Sequence, residues 1–260
     1  MIMSRALFGH RVVVIGGGGT IGKAVTSAFA NAGASVVVAD VEMGKLDSVL
    51  TDLSGDEHQA RAVDVQSLQS VEDLAQHCWG MGAIDSVVYT PGVNYTGNVV
   101  DTDWAKYKHL MEVNLDGAFY TAKAFGSLML ASNRPGNFIF VASTAGKRGE
   151  AGASVYCATK FGLLGLVESF ADEVASQGIR VNAVCPGNVE GPLLAQLVDS
   201  VSEREGTTAD QVLDRFVRAS AAGRLIQPHE VASVCVWLAS AEASAVMGAS
   251  IVVDGATLSQ

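Results

Sequence analysis

A short apolar run that passes directly into four glycines is the feature that most constrains the fold. Residues 12–22 read VVVIGGGGTIG, and Gly17, Gly19 and Gly22 satisfy the pattern G-x-G-x-x-G. The apolar residues predict a buried strand, and the residues from Thr20 to about Asn31 predict a helix. Glycine here allows a tight turn, a close approach to a pyrophosphate, and close packing of helix on strand. The segment therefore predicts the first strand, turn and helix of a dinucleotide-binding sheet.

Six further strand-like runs follow, with helical stretches between them. The predicted strands are residues 12–15, 35–40, 58–63, 83–89, 137–143, 179–185 and 250–254. Short β-branched runs without alternation are typical of parallel strands covered on both faces. The chain therefore predicts an α/β fold: one Rossmann-type doubly wound sheet of about seven parallel strands with helices on both faces, forming a single domain over residues 1–260.

Two apolar faces at helical spacing accompany these strands. The first consists of Trp104, Tyr107, Met111 and Leu115, and the second of Phe161, Leu164, Val167 and Phe170. Either face could be internal core or an interface between subunits.

Charge and cysteine content exclude several classes of protein. Lys and Arg number 17 against 27 Asp and Glu, a formal charge of -10, and no basic run appears, so a nucleic-acid partner is not expected. No uncharged apolar stretch reaches the roughly 18 residues of a spanning helix, and no signal peptide is evident, so we expect a soluble, cytoplasmic protein with no membrane partner. Cys78, Cys157, Cys185 and Cys235 form no CxxC motif and are expected to be reduced core residues, with no metal site.

Asp40 ends the second predicted strand and bears on the choice of cofactor. A carboxylate there could accept hydrogen bonds from the adenosine ribose hydroxyls and would repel a 2′-phosphate. No Lys or Arg stands at residues 17–19 or 41–44 to compensate, so NAD is favoured over NADP. An N-cap of the next helix is the alternative role for Asp40. Asp64 and Val65, after the third strand, are candidates for the adenine side.

Tyr156 and Lys160 stand four residues apart in a helical stretch and so share one face. An ammonium nearby favours the phenolate, so we expect Lys160 to lower the pKa of Tyr156. Tyr156 could then take a proton from an alcohol while hydride leaves for the cofactor. Ser143 closes a predicted strand just before this helix, at the end of the sheet where α/β proteins bind ligands. A surface tyrosine and lysine without a role are the alternative.

Together these motifs resemble the short-chain dehydrogenase/reductase family over essentially the full chain. The match rests on the glycine turn, Asn114 in EVNLD, Ser143 in VAST, Tyr156 and Lys160 in YCATK, Pro186–Gly187, PHEVA at 228–232 and VDG at 253–255. The resemblance implies that Tyr156 is the general acid/base, that Lys160 holds the nicotinamide ribose, and that Ser143 binds the substrate oxygen. It also implies that Asn114 bends its helix and holds a water in a proton relay; a polar core contact is the alternative for Asn114.

The resemblance further implies a homotetramer and a set of cofactor-binding residues. These residues are Gly16, Gly19, Thr20, Ile21, Gly22, Asp40, Asp64, Val65, Gly92, Tyr156, Lys160, Pro186, Gly187 and Val189.

The chain departs from the family pattern at three places. Thr20 stands where T-G-x-x-x-G-x-G has its middle glycine, and Ile15 replaces the leading threonine. Residues 89–92 read YTPG where the family has N-N-A-G. Gly191 replaces the threonine often found after the Pro-Gly pair, so a hydroxyl contact to the carboxamide is lost or supplied elsewhere.

Substrate contacts are expected from Asn94, Ala145, Arg148, Glu150 and Asn188. Arg148 could pair with a substrate carboxylate or be a solvated loop cation, and Glu150 could bind hydroxyls or remain solvated. Residues 190–222 form a charged insertion, either a substrate lid or a surface helical excursion.

The prediction is an NAD-dependent oxidoreductase that interconverts a small to medium secondary alcohol (polyol, hydroxy acid or cyclic alcohol) and its ketone. Two alternatives are a 3-oxoacyl-thioester reductase, which predicts NADP and a basic docking patch, and a non-catalytic dinucleotide-sensing protein.

Overall fold

The computed structural model describes residues 6–55 and 57–257 and contains one parallel sheet in the order β3-β2-β1-β4-β5-β6-β7. The strands are β1 Arg11–Ile15, β2 Ser35–Asp40, β3 Gln59–Ala62, β4 Ser86–Tyr89, β5 Gly136–Val141, β6 Ile179–Pro186 and β7 Ser250–Val253. The main helices are α1 Thr20–Asn31, α2 Met43–Thr51, α3 Leu68–Gly80, α4 Trp104–Met111, α5 Gly117–Ala131, α6 Ser154–Val174, α7 Pro192–Glu205, α8 Ala209–Ala219 and α9 Pro228–Ala239. The predicted fold class is confirmed.

Two strand boundaries differ from the prediction by more than one residue. β4 begins at Ser86 rather than at residue 83, because the carboxylate of Asp85 accepts the Arg11 N–H at 2.8 Å where a backbone carbonyl would continue the ladder. β5 ends at Val141, so Ser143 lies beyond the strand and not at its close. The Ser143 hydroxyl instead caps a short turn, Thr144–Gly146.

Each face of the sheet carries its own apolar core. On one face α3, α5 and α6 bury Phe125 and Leu163 against Phe138 of β5. On the other face α1, α2 and α9 bury Phe29, Leu46 and Val231. The five inner strands, β1, β2, β4, β5 and β6, are almost fully buried because both of their faces are covered, which explains why they lack alternation in the sequence.

The first predicted apolar face does not form a single buried stripe. Trp104 is 67% exposed and stacks on Tyr107, with ring centroids 4.8 Å apart. A π-helical turn, Glu112–Asp116, follows α4 and breaks the helical period between Met111 and Leu115. On the second face Leu164 and Val167 are buried, Phe170 packs against Phe138, and Phe161 is 46% exposed.

The insertion at residues 190–222 contains α7 and α8, which pack on each other through Leu194, Val198, Val201 and Val212. Both ends of the insertion are tied together, because Glu190 donates its N–H to the Ile226 carbonyl and Ile226 donates to Asn188, each at 2.9 Å.

The four cysteines are buried and free, as expected. Within residues 6–55 and 57–257, no helix has the length and apolar character needed to cross a bilayer.

Candidate active site

A cavity of about 870 Å³ opens at the carboxyl end of the sheet. Its size is typical of a ligand-binding pocket. Predicted residues that line it are Gly16, Gly19, Thr20, Ile21, Gly22, Asp40, Asp64, Val65, Gly92, Asn94, Ser143, Ala145, Glu150, Tyr156, Pro186, Gly187, Asn188 and Val189. Three other predicted residues do not line it: Asn114 and Lys160 are buried directly behind the wall, and Arg148 lies on the exposed loop.

The glycine turn forms one end of this cavity. Gly16 adopts a φ of +79°, a left-handed conformation that glycine tolerates best. A Cβ at Gly22 would overlap the carbonyl of Gly16, so α1 can pack this closely only with glycine at that position. Gly19 is the N-cap of α1 and provides no side-chain cap, which leaves the helix N-terminus available to a phosphate.

Asp40 braces the glycine turn, a contact that the sequence did not reveal. Its Oδ2 accepts the Gly18 N–H at 2.9 Å, and its Oδ1 accepts the Glu42 N–H at 3.2 Å. The N-cap of α2 is Glu42, so the alternative role of Asp40 as that N-cap is wrong. A carboxylate offers about four acceptor positions, so Asp40 retains capacity for ligand hydroxyls.

Lys45 also lines the cavity beside Asp40, and the prediction missed it because it considered only residues 41–44. Its Nζ lies 2.5 Å from Oε1 of Glu42, and this hydrogen bond raises the pKa of Lys45. This cation beside Asp40 is therefore already paired with a carboxylate.

Two departures from the family pattern meet in space. Gly191, at the start of α7, has a φ of +153°, and a Cβ there would lie 2.9 Å from Cγ2 of Thr20. Thr20 thus occupies room that a side chain at position 191 would need, and both residues line the cavity. A hydroxyl is present on this wall, but it comes from the glycine turn and not from the segment after the Pro-Gly pair.

Tyr156 lies in the first turn of α6 and lines the cavity together with Ser143, whose side chain is close enough to lower the pKa of the tyrosine. The Ser143 Oγ also accepts the Ala145 N–H at 3.1 Å, which fixes the rotamer of the serine. Both side chains line the same cavity, as needed to hold one substrate oxygen.

Burial controls the acid–base properties of the pair formed by Tyr156 and Lys160. Desolvation raises the pKa of Tyr156 to about 12. The interaction with Ser143 lowers this pKa, and the Glu150 carboxylate raises it. Desolvation lowers the pKa of Lys160 to about 8. The Lys160 Nζ lies 5.7 Å from the Tyr156 ring centroid and donates to the Val141 carbonyl at 3.2 Å. In this structure desolvation dominates the pKa of Tyr156 and Lys160 is not among the groups that shift it, so a lowering of that pKa by Lys160 stays a prediction.

Asn114 lies inside the π turn and is fully buried. Its Nδ2 donates to the Val93 carbonyl at 2.9 Å and to Oγ1 of Thr159 at 3.2 Å, and its Oδ1 accepts the Val93 N–H at 2.9 Å. The carboxamide thereby fixes the loop that follows β4.

Residues 89–92 span the end of β4 and the start of that loop, and two of their unusual side chains form hydrogen bonds with backbone carbonyl groups of other segments. The Thr90 hydroxyl donates to Ile15 at 2.7 Å, and the Tyr89 hydroxyl donates to Val113 at 2.5 Å. The sequence showed the departure from N-N-A-G but gave no signal for these contacts, because the partners are distant in the chain.

The cavity has chemically different ends. Its lining lysines, Lys23 and Lys45, belong to the glycine-turn half, and among the described residues no Lys or Arg lines the half around Tyr156. That half contains Glu150 and, from α7, the apolar side chains of Leu193, Leu194 and Leu197. The structure thus favours the solvated-loop alternative for Arg148.

The fold and the site together define a nicotinamide-dinucleotide-dependent oxidoreductase with a Rossmann-type sheet. A family model described as enoyl-(acyl carrier protein) reductase matches residues 18–256. The chain is 33% identical to dehydrogenase/reductase SDR family member 6 of Aquarana catesbeiana, covering 96% of this chain and 97% of that one. It belongs to the short-chain dehydrogenase/reductase family.

Other relatives carry different substrate names. The chain is 31% identical to meso-2,3-butanediol dehydrogenase of Serratia marcescens (95% and 94% coverage) and 31% identical to the 3-oxoacyl-[acyl-carrier-protein] reductase of Thermotoga maritima (96% and 98%). Among solved structures, an actinorhodin polyketide ketoreductase with NADPH superimposes with a TM-score of 0.91 at 30% identity, covering 95% of this chain and 97% of that one.

Proposed function

We propose that this enzyme uses NAD to interconvert a small to medium, uncharged secondary alcohol, such as a polyol or cyclic alcohol, and its ketone. The observation that carries the proposal is one cavity with Ser143 and Tyr156 at one end and the glycine turn with Asp40 at the other. This arrangement supports a dinucleotide lying across the sheet with its reactive end beside the tyrosine.

The residues act on the proton and on the orientation of the substrate. NAD, when bound, accepts or donates the hydride. Ser143 and Tyr156 hold the substrate oxygen, and the Tyr156 Oη takes the hydroxyl proton during oxidation or returns it during ketone reduction. Lys160 is positioned by the Val141 carbonyl behind Tyr156, on the side where the nicotinamide ribose is expected. Asn114 keeps the loop at Val93 in place.

No Lys or Arg of the described residues lines the cavity near Tyr156, which supports an uncharged substrate over a hydroxy acid. The acyl-thioester reductase stays as the second candidate because of the relative in Thermotoga maritima. Three features count against this reductase, which would be expected to use NADP and to have a basic docking patch. They are Asp40, the pairing of Lys45 with Glu42, and the formal charge of -10.

The deciding experiment measures kcat/KM for diols, cyclic alcohols, hydroxy acids and an acetoacetyl thioester, each with both cofactors. We expect uncharged alcohols with NAD to give the highest values, and Tyr156→Phe to lose at least about a hundredfold in kcat. A preference for the thioester with NADPH would support the second candidate, and full turnover by Tyr156→Phe would contradict the catalytic assignment.

Asp40→Asn tests the cofactor preference without removing an acceptor for the Gly18 N–H. Loss of the negative charge should reduce the preference for NAD over NADP by about tenfold, measured as the ratio of kcat/KM values. Asp47→Asn, on the exposed surface of α2, removes the same charge outside the cavity and serves as the control.

We further propose that α7 and α8 act as a lid over the substrate. This role is supported by the residues of α7 that line the cavity. It is also supported by the backbone hydrogen bonds of Glu190 and Ile226, which join the two ends of the segment.

A further inference from the structure

We propose that Tyr89 is a positioning residue whose buried hydroxyl holds the π turn in the shape that presents Asn114 to Val93. The inference rests on the proposed function, because it concerns the placement of Asn114 for that reaction. The role of Tyr89 in holding the π turn, however, can be tested by amide exchange, which requires no turnover.

The π turn leaves one carbonyl without its usual partner. The N–H of Gly117 bonds to the carbonyl of Glu112, five residues earlier. In an α-helix this N–H would bond to Val113, four residues earlier. The carbonyl of Val113 has therefore lost its helical donor, and a buried carbonyl without a donor is unfavourable.

The hydroxyl of Tyr89 supplies the missing donor. It lies 2.5 Å from the Val113 carbonyl oxygen, and the Tyr89 side chain is 1% exposed. The backbone of β4 and packing against Phe140, at 6.1 Å between ring centroids, fix the ring in this direction.

Gly117 provides the space that this hydroxyl needs. A Cβ at Gly117 would overlap the Tyr89 Oη and would lie 2.9 Å from Cβ of Val65. The tyrosine and the glycine therefore form one packing unit around the Val113 carbonyl.

The consequence for the active site lies in the next residue of the turn. Asn114 binds both the N–H and the carbonyl of Val93. If the π turn relaxed to an α-helix, the hydrogen-bond register would shift by one residue, and Asn114 would rotate by about 100° around the axis relative to α5. Both contacts with Val93 would then be lost, and the loop after β4 would be released.

Tyr89→Phe tests this inference, since it removes only the hydroxyl. We expect amide exchange in residues 112–117 to accelerate about tenfold, while α9 is unchanged. With the best alcohol and NAD, kcat should fall about tenfold and KM should change less than about twofold. Tyr120→Phe, on α5, is the matched control and should alter neither measurement.

A double-mutant cycle separates positioning of Asn114 from a general structural role. In an Asn114→Ala background, Tyr89→Phe should lower kcat by no more than about twofold further, because the group it positions is already gone. The inference would be overturned if Tyr89→Phe lowered kcat as much in the Asn114→Ala background as in the wild type. It would also be overturned if amide exchange in residues 112–117 were unchanged in Tyr89→Phe.

If Tyr89→Phe does not fold, Gly117→Ala replaces it, because the methyl group displaces the hydroxyl while keeping the tyrosine. The same faster exchange and lower kcat are expected, and unchanged values would overturn the inference. If the wild-type enzyme shows no turnover of any alcohol, the proposed function fails, and the exchange measurement still decides the role of Tyr89.

Discussion

Glu150 sits close enough to Tyr156 for its charge to raise the pKa of the tyrosine. Alcohol oxidation needs the deprotonated phenol, so kcat/KM for oxidation should rise with pH, and Glu150→Gln should move that rise to lower pH. The pH profiles of the wild type and the variant, recorded between about pH 6 and 10, provide the test.

Glu203→Gln on α7 is the matched control, because Glu203 does not line the cavity. A profile for Glu150→Gln that is unchanged, or that moves to higher pH, would contradict the electrostatic role of Glu150.

Lys160 should make folding stability depend on pH in the alkaline range. Its pKa in the folded protein is about 8, below the ordinary 10.5, because of burial. Between these values the unfolded chain binds more protons, so the free energy of unfolding should increase as pH rises. Urea unfolding of wild type and Lys160→Met at about pH 8 and 10 should show this increase only in the wild type. An increase of equal size in both proteins would assign it to other groups.

The location of a single residue in the site could be predicted where that residue belongs to a sequence motif with a known chemical role. Ser143, Tyr156 and the glycine turn reach one cavity as expected. The hydrogen bonds of Asp40 to Gly18 and of Tyr89 to Val113 were not predictable, because each joins segments whose distance is set only by the folded sheet.

At the scale of elements, the junction of β1 and α1 depends on Gly22. Because a Cβ there would overlap the Gly16 carbonyl, Gly22→Ala should lower the free energy of unfolding by about 1–3 kcal/mol and raise KM for NAD. Gly44→Ala, in α2, has open space around it and should be neutral or stabilising by up to about 1 kcal/mol. Equal effects of the two changes, measured by thermal and urea unfolding, would contradict the packing role of Gly22.

Helix and strand positions followed well from local patterns, whereas irregular elements did not. β2 and α1 have the predicted bounds, because a β-branched run and a glycine turn mark them clearly. The local periodicity did not reveal the π turn, since it inserts a single residue into an otherwise helical pattern; only the family resemblance implied a bend at Asn114. The end of β5 was misplaced because Ser143 remains extended after the ladder stops.

For the whole molecule, we propose the homotetramer that the family resemblance implies. Phe119 of α5 is 50% exposed and Phe161 of α6 is 46% exposed, which supports an interface on these helices. Light scattering should give four times the 26.9 kDa chain mass for wild type and a smaller mass for Phe119→Asp. Phe8→Asp, beside Gly33 at the end of α1, is the control. A monomeric wild type, or a tetrameric Phe119→Asp, would contradict this interface.

The global architecture was the most predictable level. Seven apolar runs separated by helices allow few arrangements, because parallel strands need right-handed crossovers that cover both faces. Substrate identity was the least predictable level, since it depends on which side chains of α7 meet the loop before α6.

The backbone hydrogen bonds that join the two ends of the α7–α8 insertion have a consequence for engineering. A segment that closes on itself at Glu190 and Ile226 and has its own small core can be exchanged between related enzymes as a cassette, with the sheet left intact. Its first turn is the exception, because Thr20 of the cofactor half leaves no room for a side chain at position 191. A chimera that imports a bulkier residue at position 191 must also import the glycine that its donor carries at position 20.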